Sequence, residues 1–156
     1  SKDPLVLVTD EGKEEEAVLR LARVGYENVK GYLKGGFKAW KDSGRKVDHI
    51  EVMHPITFEK QYSPEEHVID VRNEGEWAGG VIEGAQLIPL TRLTREFGIL
   101  DKNKKYYVHC AGGYRSMMAC SILRKNGYRN VVNITGGINL MKETNYKLVI
   151  PPNVFA

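Results

Sequence analysis

Cys110 stands where an apolar run, Tyr106 to Val108, meets a glycine-bearing turn that leads into a helical stretch, in the segment YYVHCAGGYRSMMACSIL. A turn from a strand into a helix N-terminus points several backbone N–H groups inward, and the helix dipole adds partial positive charge. Such a nest favours an anion, so a cysteine there has a depressed pKa and is partly thiolate, the nucleophilic form. Gly112 and Gly113 let the turn close, Arg115 adds a permanent cation, and Ser116 is placed to cap the helix. A lone cysteine is more often a small buried hydrophobe, and Cys120, on the apolar side of the helix pattern, is read that way. His109 is turned to the opposite face of the strand by its alternation, which makes it a packing residue. His49, His54 and His67 stand among no cysteines or carboxylates at ligand spacing, so no metal site is expected.

The elements that must position Cys110 occur in two copies. Gly25-Tyr26-Glu27-Asn28-Val29 matches Gly127-Tyr128-Arg129-Asn130-Val131, and Gly35-Gly36-Phe37 matches Gly136-Gly137-Ile138. In each copy an apolar run, Leu5 to Val8 or Tyr106 to Val108, leads through a turn into an amphipathic stretch, Glu14 to Val24 or Ser116 to Lys125. A second short apolar run closed by Gly-Gly follows. Residues 43–49 lie in a charged, glycine-bearing segment without apolar periodicity and are read as a linker. Residues 50–150 extend the second copy upstream through Ile56 to Tyr62, a strand His67 to Arg72 and a strand Gln86 to Pro89, making a complete domain; residues 151–156 form a tail. Residues 1–42 have no such front half. Strands alternating with helical stretches predict an α/β domain with a mostly parallel central sheet and helices on both faces, and ligands bind at the carboxyl ends of such strands, where Cys110 falls.

The bulk properties bound this reading. A chain of 156 residues can bury one good core, or one core and a fragment of another. Its formal charge of +3 comes from mixed signs with no basic tract, so nucleic acid is not an expected partner. No apolar stretch is long enough to span a bilayer, and the start, SKDPLVLVTDEG, lacks a basic segment followed by an apolar one. The expectation is a soluble, cytoplasmic protein, and the two cysteines fit a reducing compartment.

Three stretches of the second copy resemble the rhodanese family of sulfurtransferases. Asp70-Val71-Arg72 is similar to the family's strand motif, and Glu76-Trp77 through Gly80-Val81-Ile82, Gly84-Ala85 and Ile88-Pro89 to its following signature. The segment Cys110-Ala111-Gly112-Gly113-Tyr114-Arg115-Ser116 resembles the active-site loop. The family often has histidine where Val81 stands, a departure in the turn before a strand. The resemblance implies that Cys110 is the nucleophile and carries sulfur transiently as a persulfide, held by Ala111, Gly112, Gly113, Tyr114, Arg115 and Ser116. Asp70 and Arg72 would support the loop by ion pairing.

The implied cycle passes sulfane sulfur from thiosulfate or a low-molecular-weight persulfide to a thiol or cyanide, with no cofactor in this chain. Two other readings stand beside it. Tyrosine phosphatases, and the cell-cycle phosphatases that share the fold, also set a cysteine before an arginine, but with five residues between them; Ala111 to Tyr114 gives four, a smaller cradle. A non-catalytic persulfide-sensing or regulatory module is the other. In the first copy the loop reads Thr9-Asp-Glu-Gly-Lys-Glu-Glu-Glu16, which implies the back half of an inactive, degenerate rhodanese-like domain that exposes apolar surface unless it packs on a partner. The double arrangement is similar to the carboxyl-terminal part of bacterial fusions whose amino-terminal domain is a metallo-β-lactamase-fold persulfide dioxygenase. Iron would belong to such a domain, outside this chain, and a homo-oligomer is a further possible assembly.

Overall fold

Short strands with glycine turns and helices of five to twelve residues build the chain. The structure, a computed structural model, describes residues 3–63 and 65–151. It divides into two units, Ser1–His49 and Ile50–Ala156.

In the first unit β1 (Leu5–Leu7) pairs in parallel with β2 (Val29–Tyr32), joined through α1 (Glu14–Ala22), and α2 (Gly36–Asp42) follows. Glu14, Glu15 and Glu16 fill the first turn of α1, where carboxylates complement the dipole, and Glu16 pairs with Lys13 at 3.2 Å and Arg20 at 2.6 Å. No residue of α1 is buried. Val6, Leu19, Val24 and Phe37 are all more than half exposed. These two strands and two helices therefore enclose no apolar core among the described residues.

The second unit has one. Its five-stranded sheet runs β3 (Glu51–Met53), β8 (Val131–Ile134), β7 (Tyr106–His109), β4 (His67–Asp70), β6 (Gln86–Leu87) in space, every pair parallel. The central strands β4, β7 and β8 are rich in valine, isoleucine and tyrosine because a parallel sheet is covered on both faces. Alternation sends Ile69, Val108 and Val131 to one face, against Leu93 of α4 (Leu90–Glu96) and Ala119, Cys120 and Leu123 of α5 (Tyr114–Lys125). Val68, Tyr107, Val132 and Ile134 go to the other, against Phe58 of α3 (Pro55–Gln61) and Ile138 and Met141 of α6 (Gly137–Met141). Each of these large buried side chains contributes about 1.5–3 kcal/mol. A small antiparallel pair, β5 (Val81–Ile82) with β9 (Leu148–Val149), flanks the sheet.

The α/β architecture with helices on both faces is the one the sequence predicts, with shifted edges. The strand expected to reach Arg72 ends at Asp70, and the one expected over residues 86–89 ends at Leu87, because Pro89 opens α4. Helix α5 starts at Tyr114, two residues before the expected start, because Gly113 rather than Ser116 is its N-cap. Among the described residues no helix is long and apolar enough to cross a membrane.

Candidate active site

Parallel pairing with β4 and β8 fixes β7, and so fixes where its last residue delivers Cys110. Val71 N–H donates to the His109 carbonyl at 3.0 Å, carrying the pairing one step past the strand end. Cys110 then turns into α5 with only 1% of its surface exposed. Gly113 takes φ 97°, a left-handed conformation that suits glycine, and this kink aims its N–H at the Cys110 Sγ, 3.1 Å away. The Ser116 hydroxyl lies 3.5 Å from the same sulfur and 3.0 Å from the Gly113 carbonyl oxygen.

The turn is also held from behind. Ile138 N–H donates to the Cys110 carbonyl at 2.8 Å and Asn139 N–H to the Ala111 carbonyl at 3.1 Å, so the first turn of α6 satisfies the loop's acceptors. That approach requires Gly137: a Cβ there would overlap the Cys110 carbonyl oxygen and lie 2.7 Å from that of Ala111. The Gly-Gly pair that marks the repeat in the sequence is thus the floor of the loop.

Two opposing influences set the acidity of Cys110. Burial is the largest and pushes the thiol up; hydrogen bonds from the Ser116 hydroxyl and from the backbone N–H groups of Ser116, Gly113 and Gly112 outweigh it, leaving the pKa below the ordinary thiol value. Cys120, where burial outweighs a single backbone hydrogen bond, is pushed up to about 12. The two free cysteines differ by their hydrogen-bond donors rather than by burial.

Arg115 reaches across to a partner that the sequence spacing does not reveal. Its guanidinium grips the Glu76 carboxylate with two bonds, 2.6 and 2.8 Å, and Glu76 falls to about 2 chiefly through that hydrogen bonding. The arginine's own pKa is raised, first by Glu76 and further by the charge and hydrogen bonding of Cys110. Glu76 in turn is fixed at the N-terminus of a 3-10 helix, Glu74–Gly79, where it and the Asn73 side chain form a capping box.

Arg72 anchors that helix. Its guanidinium binds Asp70 at 2.6 Å and donates to the carbonyls of Glu76 at 3.1 Å and Gly80 at 2.7 Å, with both side chains of the pair at most 3% exposed. Removing one member of a buried pair costs about 3–5 kcal/mol. Asp70 and Arg72 are thus linked to Arg115 through Glu76, whose carbonyl Arg72 binds and whose carboxylate Arg115 binds. His109 lies on the opposite side of β7 from Cys110, fully buried, its Nε2 3.7 Å from Asp70. Burial, foremost, holds its pKa below the usual imidazole value despite the opposing charge of Asp70.

Among the expected residues, the structure gathers Gly112, Gly113 and Ser116 around the sulfur. Ala111 contributes its carbonyl to the floor contact, and Tyr114 stands at the rim, 87% exposed. One assignment changes. Ser116 is not the cap of α5; it lies inside the first turn with its hydroxyl toward the sulfur. Arg115, expected as a cation near the cysteine, is also half of an ion pair with Glu76. Glu76 is the residue the sequence reading missed as part of the site, and its place in a capping-box pattern beside Asn73 was the available signal.

A five-stranded parallel sheet with a cysteine loop at its carboxyl edge defines the class of domain. The family model of the rhodanese-like domain matches residues 57–144, and the chain belongs to that family. It is 40% identical over 70 residues to YqhL, an uncharacterized protein of Bacillus subtilis, covering 45% of this chain and 56% of that one. A protein of Allochromatium vinosum named sulfurtransferase is 30% identical over 84 residues, 54% of this chain and 78% of its own length. The crystal structure of a rhodanese-related protein from Thermoplasma volcanium superimposes with a TM-score of 0.60 at 31% identity, covering 65% of this chain and 99% of that one.

Proposed function

We propose that this protein transfers sulfane sulfur through a persulfide on Cys110. The observation that carries the reading is the environment of the sulfur: a buried thiol, not otherwise reactive, set among N–H and O–H donors that hold it below its ordinary pKa. The Cys110 thiolate attacks the outer sulfur of the donor. With thiosulfate, the donor's S–S bond breaks, sulfite leaves with the electron pair, and a Cys110 S–S bond forms; with an organic persulfide the leaving group is the thiolate. An acceptor thiolate or cyanide then attacks the terminal sulfur, takes it as a persulfide or thiocyanate, and returns Cys110 as thiolate. The charge stays on sulfur at every stage, and the donors of the nest stabilise it throughout, as an oxyanion hole does. Arg115, oriented by Glu76, supplies positive potential to anionic donors. The four residues between Cys110 and Arg115, and the closure of the loop by Gly137, favour a sulfur-sized cradle over one for a phosphoryl group. The first unit is read as the back half of a degenerate copy, because Gly36 there approaches the Thr9 carbonyl as Gly137 approaches that of Cys110.

Intact-mass spectrometry tests the reading. The unaltered protein, incubated with thiosulfate or glutathione persulfide, gains one sulfur atom and loses it on addition of cyanide, while Cys110→Ser gains none. Absence of any gain in folded protein with a free Cys110 thiol refutes the transfer and directs attention to phosphatase substrates and then to a binding role.

A further inference from the structure

The outer edge of β1 is open. Leu5 N–H donates to the Asn28 carbonyl at 2.9 Å and the Leu7 carbonyl accepts from Leu33 N–H at 2.8 Å, so both residues face β2. Alternation turns the N–H and C=O of Val6 to the other edge, where this sheet has no third strand among the described residues. A sheet of two strands is marginal in water. In the second unit the same edge is covered. Tyr107, which matches Val6 when Cys110 is set on Thr9, pairs with Val68 of β4, and Leu93 of α4 packs with Ala119, Cys120 and Leu123 of α5. The first unit has no counterpart of β4 or α4 among the described residues, and Val6 is 70% exposed where Tyr107 is 4%.

The charges of α1 indicate what fits. The helix carries Glu14, Glu15 and Glu16 in its first turn and Arg20 in its last, with Arg23 as its C-cap, and Ala17, Val18 and Leu19 lie between. A helix acidic at one end and basic at the other is complementary to a copy of itself run in the opposite direction. We propose that a second copy of this chain completes the first unit, β1 pairing antiparallel with β1 of the second copy across a two-fold axis at Val6. In a hydrogen-bonded antiparallel pair two opposite residues exchange both bonds, so the Val6 groups left open by the fold satisfy each other. Four strands result, in the order β2-β1-β1-β2. The same axis sets the two α1 helices antiparallel on one face. Each lies over the strands it connects, which puts their axes two strand spacings, about 10 Å, apart, a distance at which helices pack. The acidic turn of each then meets the basic turn of the other, and the partner helix takes the place that α4 holds beside α5. Pro4, without an N–H, ends the strand pairing early, so the helices carry much of the contact. A polyanion fits this face less well, since it would meet the three glutamates. The inference is independent of the sulfur-transfer reading.

Sedimentation equilibrium of the whole chain reads the assembly, and the expected mass is twice that of one chain. Two variants test the helices: Glu14→Lys, Glu15→Lys, Glu16→Lys in one, and Arg20→Glu, Arg23→Glu in the other. Each alone should dimerise at least tenfold more weakly, while an equal mixture of the two should recover dimer to within about threefold of the unaltered protein. Recovery on mixing separates charge pairing from mere loss of the helix. The axis is tested by Val6→Cys in a background of Cys110→Ser and Cys120→Ser. Equivalent residues on the axis lie about 5.5 Å apart, within disulfide reach, so oxidation by copper phenanthroline should link the copies. Val8→Cys, two residues off the axis and so about 13 Å from its equivalent, should link at least tenfold more slowly. A monomeric unaltered protein overturns the proposal. So does a dimer indifferent to both charge variants, which would use another face such as that of Phe37 and Trp40, or a mixture that fails to recover. Equal linking at the two cysteine positions overturns the axis at Val6.

Discussion

Thr9 and Cys110 hold matching places in the two units. Each lies just beyond a parallel strand, each is followed by a turn into a helix, and over each carbonyl oxygen sits the second glycine of a Gly-Gly pair, Gly36 or Gly137. The difference lies in who occupies the positive end of the helix. In α1 the chain's own Glu14, Glu15 and Glu16 fill the first turn, and the helix has no side-chain cap. In α5 the first turn holds no acidic residue, a left-handed glycine opens it, and the free N–H groups of the turn converge on a sulfur. The same strand-turn-helix geometry thus becomes an anion site only where its dipole is left unspent on the chain's own carboxylates.

The contrast extends to packing. Cys110 belongs to a core that includes Ile69, Val108, Cys120 and Leu123, so its loop is backed by rigid, buried elements. Thr9 has no such backing, since Gly36 is the only buried residue among those described in the first unit. A nest of weak donors can depress a pKa only if the donors are held in place, because a loose loop loses in entropy what its hydrogen bonds gain.

The largest expected effect breaks the floor of the active loop. Gly137→Ala sets a methyl group against two backbone carbonyls at φ 53°, where neither side can yield without moving the loop. Sulfur loading of Cys110 should fall at least a hundredfold, and stability by roughly 1–3 kcal/mol. Gly36→Ala makes the same clash with the Thr9 carbonyl and should leave loading by Cys110 within about twofold. Mass-spectrometric loading rates and urea melts of both variants decide it. A loss of loading from Gly36→Ala would mean that the first unit takes part in the chemistry after all.

The relay from Asp70 to Arg115 has no equivalent among the described residues of the first unit, and Glu76→Gln tests what it adds. Arg115 keeps its charge but loses the carboxylate that holds it at 2.6 and 2.8 Å. The loading rate from thiosulfate should fall about tenfold through a raised KM, because the cation is present but no longer aimed. Stability carries a separate signature. Glu76 titrates at about 2, below its ordinary value of 4.5, so its contribution is present above about pH 4.5 and is lost as the pH falls toward 2. The ion pair is about one-third exposed, so solvent screening limits that contribution to about 1 kcal/mol. Urea melts at pH 6 and pH 3 should show the gap between the unaltered protein and Glu76→Gln closing at the acid end. A gap unchanged between those pH values would assign the stabilisation to packing of the side chain rather than its charge.

Legibility in the sequence followed chain distance. The cysteine, its glycines and the Gly-Gly floor fall within local stretches whose spacing carries their geometry, and the strand-helix alternation carried the fold. The partner of Arg115 lies 39 residues upstream, and a tertiary pairing of that kind leaves no local period to read. Ser116 was misplaced for a different reason. Serine before an apolar stretch is a common capping signal, but here a left-handed glycine three residues earlier had already opened the helix, and the hydroxyl was released to face the sulfur.

The smallest expected effect is a failure to transplant. Thr9→Cys, made in a background of Cys110→Ser and Cys120→Ser, puts a thiol at the matching place in the first unit. There the carboxylates of Asp10, Glu11 and Glu14 to Glu16 oppose a thiolate, whereas the donors around Cys110 favour one. The rate of alkylation by iodoacetamide should rise with pH to a midpoint at or above the ordinary thiol value for the new cysteine. For Cys110, measured with Cys120→Ser alone, the midpoint should lie below it, because a depressed pKa leaves the thiolate populated further toward neutrality. The new thiol should gain no sulfur from thiosulfate, since the acidic turn repels the donor as well as the nucleophile's charge. A midpoint for Thr9→Cys as low as that of Cys110 would show that the strand-turn-helix geometry and its Gly-Gly floor suffice for thiolate formation, and that the choice of side chains in the first helical turn decides only which anions arrive.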